Sequence, residues 1–142
     1  MKEQNFQFSF TSSKSSSEVF AHLINPKTWW VGLFGETLEG KSEDINDEFS
    51  FKAGEGMHYS NQKLVEVISN KKIVWLVTES NLTFLNNVNE WAGSRICFEI
   101  EEVGKHTQIT FAHEGLLPQM ECYGSCSSAW TQYMQNLQER LS

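Results

Sequence analysis

Apolar and polar residues alternate along several stretches of this chain. Phe6, Phe8 and Phe10 are separated by polar residues near the beginning of the sequence, and a period of two is typical of a strand with one buried face. The same period returns over residues 48–52, 57–68, 91–101 and 107–113. Residues 73–77 are apolar throughout, which predicts a strand in the middle of the sheet or one covered by a loop. Residues 81–90 have no clear period and predict a packed loop or a distorted strand.

The longest predicted strand covers residues 57–68. Met57, Tyr59, Val65 and Val67 share one parity along it, and we expect that parity to face the interior. The polar pair at residues 61–62 interrupts the pattern and predicts a β-bulge.

Two short helices are predicted after the first strand. Ser15 and Glu18 have the spacing of a capping box, in which the hydroxyl and the carboxylate satisfy free N–H groups of the first turn. The apolar stripe of this helix consists of Val19, Phe20, Leu23 and Ile24. Asn25 and Pro26 then predict the start of a second short helix, because Asn is a good N-cap and Pro suits the first helical position.

The chain closes with a long helix that we expect to begin near Pro118. At 100° per residue its apolar positions fall within an arc of about 120°. These positions are Tyr123, Cys126, Trp130, Tyr133, Met134, Leu137 and Leu141. A helix with such a wide apolar face has to lie on a sheet.

Together these elements predict an α+β fold in which residues 1–142 form one domain. Short hairpin connections make the sheet antiparallel, with about six or seven strands. Because one helix cannot cover a flat sheet of that size, we expect a curved sheet wrapped around the closing helix. The two short helices would then close one end.

Charge and hydropathy argue against several classes of partner. The formal net charge is −7, and no run is rich in Lys or Arg, whereas nucleic acids and anionic membranes require clustered positive charge. No apolar run approaches the roughly 18 residues of a membrane-spanning helix, and the N-terminus lacks a signal-peptide core. The sequence therefore predicts a cytoplasmic protein with no nucleic-acid or membrane partner, and leaves monomer and homodimer open.

His113, Cys122 and Cys126 are the residues that could together hold a metal ion. Structural zinc sites, however, need four ligands and usually contain a Cys-x-x-Cys pair, which the sequence lacks. The three cysteines also form no disulfide framework. We therefore expect no metal and no cofactor, and expect both cysteines of the closing helix to pack as small apolar groups. A redox role would require a lowered thiol pKa and stays open.

His113 could alternatively act as a general base near Glu114 or Glu121. Adjacent residues of a strand point to opposite faces, so His113 and Glu114 cannot share one cavity. No motif of a known hydrolase, metalloprotease or nucleotide-binding protein occurs. We assign no catalytic residue, and expect a hydrogen-bonded histidine at a cavity rim or strand end.

The aromatic content points to a possible ligand site. With 10 Phe and 5 Trp, the interior is built of large flat side chains, and a curved sheet over a helix often leaves an apolar pocket. The residues expected to line this pocket are Trp30, Tyr59, Phe98, Phe111, His113, Tyr123, Cys126, Trp130 and Met134. Tyr59 and His113 would be the polar groups able to orient a ligand.

The order of short motifs along the chain resembles the START-like (SRPBCC) superfamily, and within it the homologues of the heat-shock protein 90 ATPase activator. The motifs are the Ser-x-x-Glu-Val-Phe helix start, Asn25-Pro26 through Trp29-Trp30, Gly35, Phe49-x-Phe51, Val65-x-Val67, residues 74–77, Phe111-x-His113-x-Gly115-Leu116, and Cys122 to Cys126 followed by Trp130, Tyr133 and Leu137. The resemblance implies a helix-grip fold with a cavity between the sheet and the C-terminal helix. It implies no catalytic set.

Three functions stay open from the sequence. The first is non-enzymatic binding of an apolar small molecule in that cavity. The second is a co-chaperone-like interaction that stimulates a heat-shock protein 90 ATPase, with a role in stress response. The third is an enzyme of the cyclase or hydrolase kind that uses His113. Of these hypotheses we favour a protein without enzymatic activity.

Overall fold

The computed structural model describes residues 6–31, 33, 35–54, 57–83, 85–86, 88–117, 120–121 and 123–141. Seven strands lie among these residues: β1 (Phe6–Ser12), β2 (Thr37–Gly40), β3 (Glu48–Ala53), β4 (His58–Ile68), β5 (Lys72–Leu82), β6 (Arg95–Val103) and β7 (His106–Glu114). The two α-helices are α1 (Ser16–Leu23) and α2 (Tyr123–Arg140), and one turn of 3-10 helix spans Pro26–Thr28.

All strands belong to one antiparallel sheet in the order β1-β7-β6-β5-β4-β3-β2. β5 is the central strand, as its apolar residues predict: Ile73 and Trp75 on one face and Val74 on the other are all buried. The curved antiparallel sheet with its long C-terminal helix is a helix-grip fold. The predicted fold class is therefore confirmed.

Local sequence signals define the first helical segments. Ser15 is the N-cap of α1, and its hydroxyl accepts a hydrogen bond from the Glu18 backbone N–H at 3.2 Å. Asn25 caps the 3-10 turn in the same way through the Lys27 N–H, with Pro26 at the first position. Both predicted starts are confirmed, although the second segment is only one turn long.

The closing helix begins at Tyr123 rather than near Pro118, which lies outside the described residues. Its apolar arc is otherwise as predicted, because six of the seven predicted residues are buried: Cys126, Trp130, Tyr133, Met134, Leu137 and Leu141. Tyr123, at the first position of the helix, is only partly buried.

The prediction that Tyr59 faces the interior is wrong. Ser60, Gln62 and Leu64, of the opposite parity, are each 0% exposed. The reason is a register shift between Leu64 and Glu66, where β4 carries an unpaired extra residue. An extra residue reverses the parity of the strand. The residues that face the interior therefore have one parity in the N-terminal part of β4 and the other parity in its C-terminal part.

The bulge predicted at residues 61–62 is confirmed as a second register shift in the same strand pair. Asn61 pairs with Glu79 and Gln62 with Val77, so the extra residue at this point is Thr78 of β5.

A cluster of aromatic rings fills most of the space between the sheet and α2. Trp130 of the helix lies 4.7 Å from the ring of Phe111 on β7, and Phe111 lies 5.2 Å from Phe98 on β6. Trp29 packs edge-on against Phe98 at 5.1 Å. Trp130 therefore packs α2 against β7, and Phe111 connects this contact to Phe98 on β6. No helix within the described part of the chain is long and apolar enough to cross a membrane.

Candidate functional site

A cavity of about 270 Å³ lies between the N-terminal half of α2 and the end of the sheet where β3 turns into β4. Its deep walls are formed by side chains that are at most 5% exposed: Trp30, Phe51, Trp91, Cys126, Trp130 and Tyr133. Its mouth is formed by exposed residues, namely Gly54, Met57 and Ser125. The site is therefore an apolar pocket with a solvent-facing entrance.

Small residues on facing elements keep this space open. Ala129 lines the cavity from α2, one position before Trp130, and Ala53 lines it from the last position of β3. Trp30 enters from the 3-10 turn, where its backbone N–H donates to the Pro26 carbonyl at 2.8 Å. Its ring stacks on Phe51 with centroids 4.1 Å apart and planes 13° apart.

Tyr133, His58 and Trp91 contribute three of the polar groups in the walls. The Tyr133 hydroxyl donates to a carboxylate oxygen of Glu36. Burial, together with this hydrogen bond, raises the pKa of Tyr133 far above its usual value, so the phenol stays neutral. His58 is neutral as well, because burial lowers its pKa to about 4. The third group is the Trp91 indole N–H, which is buried and has no acceptor among the described residues.

His113 lies beneath the cavity rather than in its wall, and it is 0% exposed. The Trp130 indole N–H donates to its Nδ1 at 3.0 Å, and its Nε2 lies 2.8 Å from the Ser94 hydroxyl. Since Nδ1 accepts, the neutral ring carries its proton on Nε2 and donates it to Ser94. The Ser94 hydroxyl in turn donates to the Trp91 carbonyl.

This hydrogen-bond chain makes His113 a structural residue. Burial, with a smaller effect from His58, lowers the pKa of His113 to about 3, and both ring nitrogens are already engaged. Glu114 is exposed on the opposite face, as the alternation predicts. Glu121 instead accepts hydrogen bonds from the Asn86 backbone and side chain. Among the described residues, neither Glu114 nor Glu121 therefore forms an acid–base pair with His113.

The nine residues predicted to line a cavity separate into two groups. Trp30, Cys126 and Trp130 line it. Six others do not: Phe98, Phe111, His113 and Met134 are fully buried below it, Tyr123 is partly buried at the start of α2, and Tyr59 lies outside, 6.0 Å from the Lys52 ammonium group.

Several wall residues were missed by the sequence analysis. Tyr133 belongs to the predicted helix arc, and Phe51 to the predicted face of β3, so their patterns could have identified them. Trp91 and His58 had the wrong parity in their predicted strands. Trp91 was expected to begin the strand over residues 91–101, on the face opposite to Ile96 and Phe98, but β6 begins only at Arg95. His58 has a parity that only the strand bulges turn inward.

The cysteine prediction requires a correction. Cys126 is buried as expected, but it is disulfide-bonded and not a thiol. Cys97 is free, and burial raises the pKa of its thiol to about 12. Cys122 lies outside the described residues. Within the described ranges no group of three or more His, Cys, Asp or Glu side chains is arranged to hold a metal ion.

Comparison with solved structures shows that this architecture is shared by proteins from several organisms. The Aha1 dimer from Colwellia psychrerythraea is 19% identical, with a TM-score of 0.74 over 97% of this chain and 96% of that chain. The Mll3558 protein from Rhizobium loti is 13% identical, with a TM-score of 0.73 over 99% and 98%. Protein CV1439 from Chromobacterium violaceum is 11% identical, with a TM-score of 0.68 over 97% of both chains. At these identities the likeness shows the fold alone.

No protein of curated function gives a significant match to this sequence. A family does match, over residues 14–142: the one described as "Activator of Hsp90 ATPase homolog 1-like protein". This range takes in every element from α1 to α2 and all residues of the cavity wall named above. The chain therefore belongs to the Activator of Hsp90 ATPase homolog 1-like family.

Proposed function

We propose that this protein binds an apolar small molecule, without chemical conversion, in the cavity between the sheet and α2. The observation that carries the proposal is the cavity itself: about 270 Å³ of space walled by Trp30, Phe51, Trp91, Trp130 and Tyr133. Burying roughly 200 Å² of ligand surface there contributes about 5 kcal/mol at 25 cal/mol per Å², before ordering costs. That is sufficient for weak binding by apolar contact alone.

The polar side chains of the wall favour ligand binding over catalysis. None of the described residues that line the cavity is Asp, Glu, Lys or Arg. The Tyr133 hydroxyl is engaged by Glu36, and His58 has too low a pKa to hold a proton at neutral pH. General acid–base catalysis works best with a group whose pKa lies near the operating pH, and neither group meets that condition.

Family membership keeps a chaperone interaction as the second candidate, since the family is named after an activator of the Hsp90 ATPase. A docking surface would be favoured by a large continuous apolar patch. Among the described residues, the large apolar side chains that are exposed lie in or beside four different connections between strands: Ile45, Met57, Ile68 and Val103. Their placement gives less support to docking than the cavity gives to ligand binding.

The test is titration of the folded protein with the neutral naphthalene dye prodan, followed by dye emission and tryptophan quenching. Wild-type protein is expected to bind at micromolar to sub-millimolar levels. Ala129→Phe fills the cavity from α2 and should abolish binding. Ser128→Phe adds the same ring one position earlier, on the exposed side of α2, and should leave binding unchanged.

Circular dichroism of both variants shows whether they remain folded. If folded wild-type protein binds no prodan, or if Ala129→Phe binds as tightly as Ser128→Phe, the cavity is not the ligand site. The chaperone hypothesis would then take precedence, and stimulation of Hsp90 ATP hydrolysis by the full chain would be the next measurement.

A further inference from the structure

We propose that the cavity selects a neutral, planar aromatic molecule that carries a hydrogen-bond acceptor, an inference that rests on the proposed ligand-binding function. The acceptor would be held by the indole N–H of Trp91. Four observations lead to this class of ligand: the volume of the cavity, the shape of its walls, its lack of charge, and the state of that N–H group.

The volume sets the scale of the ligand. An apolar protein cavity of about 150 Å³ holds one benzene molecule, and this cavity measures about 270 Å³. It therefore has room for about two fused six-membered rings. A long acyl chain would extend well beyond the mouth at Met57, which is already 51% exposed.

The walls are flat. Trp91 and Trp130 stack with planes 12° apart, and Trp30 and Phe51 stack with planes 13° apart. Trp30 and Trp130 link the two pairs at a centroid distance of 5.0 Å. Aromatic faces and edges gain most from offset or edge-on contact with another ring, so a planar aromatic guest fits this space better than a branched aliphatic one.

The described residues of the wall carry no positive charge that could balance an anionic ligand. No described wall residue is Lys or Arg, and His58 is neutral at physiological pH because its pKa is about 4. The carboxylate of Glu36 accepts the hydrogen bond of the Tyr133 hydroxyl, and the whole chain carries −7. A buried carboxylate without a counter-charge is strongly disfavoured, so the cavity should reject fatty acids and aromatic acids.

The Trp91 N–H distinguishes an acceptor-bearing ligand from a plain hydrocarbon. Three other indole N–H groups have acceptors in the protein: that of Trp29 donates to the Leu23 carbonyl, that of Trp75 to Ser42 and that of Trp130 to His113. Trp91 is 2% exposed and lines the cavity, yet its Nε1 has no acceptor among the described residues. Buried donors without acceptors are rare and unfavourable. Because this nitrogen has less than 1 Å² of accessible surface, a ligand acceptor would reach and relieve it through a small shift of the neighbouring wall side chains.

The test uses three two-ring probes of nearly the same size: naphthalene, quinoline and 2-naphthoate, all at pH 7.5. Naphthalene lacks an acceptor, quinoline has a neutral ring nitrogen, and 2-naphthoate is an anion. Affinities are measured by tryptophan quenching for wild type, Trp91→Phe and the matched control Trp30→Phe, which removes an indole from the same wall. One hydrogen bond to an otherwise unsatisfied donor corresponds to roughly a tenfold change in affinity.

We expect both neutral probes to bind and 2-naphthoate to bind at least tenfold more weakly than naphthalene. The ratio of quinoline to naphthalene affinity should fall about tenfold in Trp91→Phe, and stay unchanged in Trp30→Phe. A ratio that is equal in Trp91→Phe and wild type would overturn the role of Trp91. Tight binding of 2-naphthoate would overturn the preference for a neutral ligand.

A readout on the wild-type protein covers the case in which a variant does not fold. The indole N–H resonance of Trp91, assigned by triple-resonance spectroscopy, should move downfield with quinoline and not with naphthalene; equal movement with both would contradict the inference. Failure of both neutral probes to bind folded protein would instead remove the proposed ligand-binding function, and the two failures are thereby distinguished.

Discussion

The two halves of α2 rest on the same sheet but pack against it differently. The C-terminal half places Met134, Leu137 and Leu141 against the core, each at most 2% exposed. The N-terminal half presents Ser125, Cys126 and Ala129 toward the turn between β3 and β4, and there the cavity opens. Large aliphatic side chains at helical spacing fill the gap between a helix and a sheet. Small ones leave it open when rigid rings hold the neighbouring walls apart.

The C-terminal half of α2, called the filled half below, is also anchored by hydrogen bonds to other elements. The Ser12 hydroxyl of β1 donates to the Leu141 carbonyl, and the Arg140 guanidinium donates to the Thr28 carbonyl. At the open half, Glu121 accepts the Asn86 N–H and donates its own N–H to Glu90. Both of these partners lie in the connection between β5 and β6. One half is therefore anchored to the body of the fold, and the other to a surface loop.

Trp130 lies where the two halves of α2 meet, so its removal should have the largest effect on stability. Trp130→Ala takes away a ring that contacts Phe111 and Trp91, and it also removes the donor to His113. We expect a loss of about 3–5 kcal/mol in the free energy of unfolding. Chemical denaturation measures it, with exposed Ser128→Ala as the control. A thermal midpoint within about 2 °C of wild type, where a change of 1 kcal/mol alone shifts it by several degrees, would show that Trp130 does not hold the helix on the sheet.

Leu137→Ala tests the filled half alone. Leu137 is 0% exposed and lies outside the cavity wall, so its truncation should leave a void and lower stability by about 2–4 kcal/mol. Prodan affinity of the folded variant should stay within about twofold of wild type, since the open half keeps its walls. Loss of both stability and binding would mean that the two halves are coupled.

Acid should destabilise the region around the open half of α2 through His58 and His113. The pKa values of His58 and His113 are lowered by burial to about 4 and about 3, so the unfolded chain binds protons near pH 6.5 while the folded chain does not. Stability is then fully present above pH 6.5 and falls with the pH. The slope is at most about 1.4 kcal/mol per pH unit for each histidine, or about 2–3 kcal/mol each between pH 6.5 and 4.5.

Urea denaturation at pH 7.5, 6.5, 5.5 and 4.5 measures that slope. His58→Phe should reduce this slope by the contribution of one histidine. His106→Phe is the control, since His106 is exposed in β7. An unchanged slope in His58→Phe would show that burial of His58 does not set the acid sensitivity.

The smallest effect on stability is expected at Ala129, where the cavity already provides space. Ala129→Leu adds three carbon atoms into the cavity and should change stability by less than about 1 kcal/mol. Leu137→Phe adds bulk to the filled half and should cost about 1–3 kcal/mol, because overpacking forces neighbours out of place. Equal costs for the two substitutions, measured by the same denaturation experiment, would remove the distinction between an open and a filled half.

Patterns of apolar residues were enough to predict six of the seven described strands, the antiparallel sheet and the buried face of α2, whereas the short strand β2 gave no such pattern. The caps at Ser15 and Asn25 could be predicted because each depends on a few neighbouring residues. The candidate site was predicted less well. Trp30, Cys126 and Trp130 were identified, whereas Tyr59 was placed inside and His58 was not. An extra residue in a strand reverses the parity of the residues that face inward, and whether a strand carries one depends on its pairing with the partner strand.

The sequence by itself therefore determined which segments become helix or strand, and which face of the closing helix is apolar. These properties follow from local hydrogen bonding and from the spacing of apolar residues. Only the tertiary structure decided that His113 is held by Trp130 and Ser94, that Trp91 enters the cavity wall, and that the gap beside Ala129 stays open. Each of these depends on side chains from elements far apart in the chain meeting at one place. Whether such side chains fill the space between them depends on how the sheet curves, and no local pattern records that curvature.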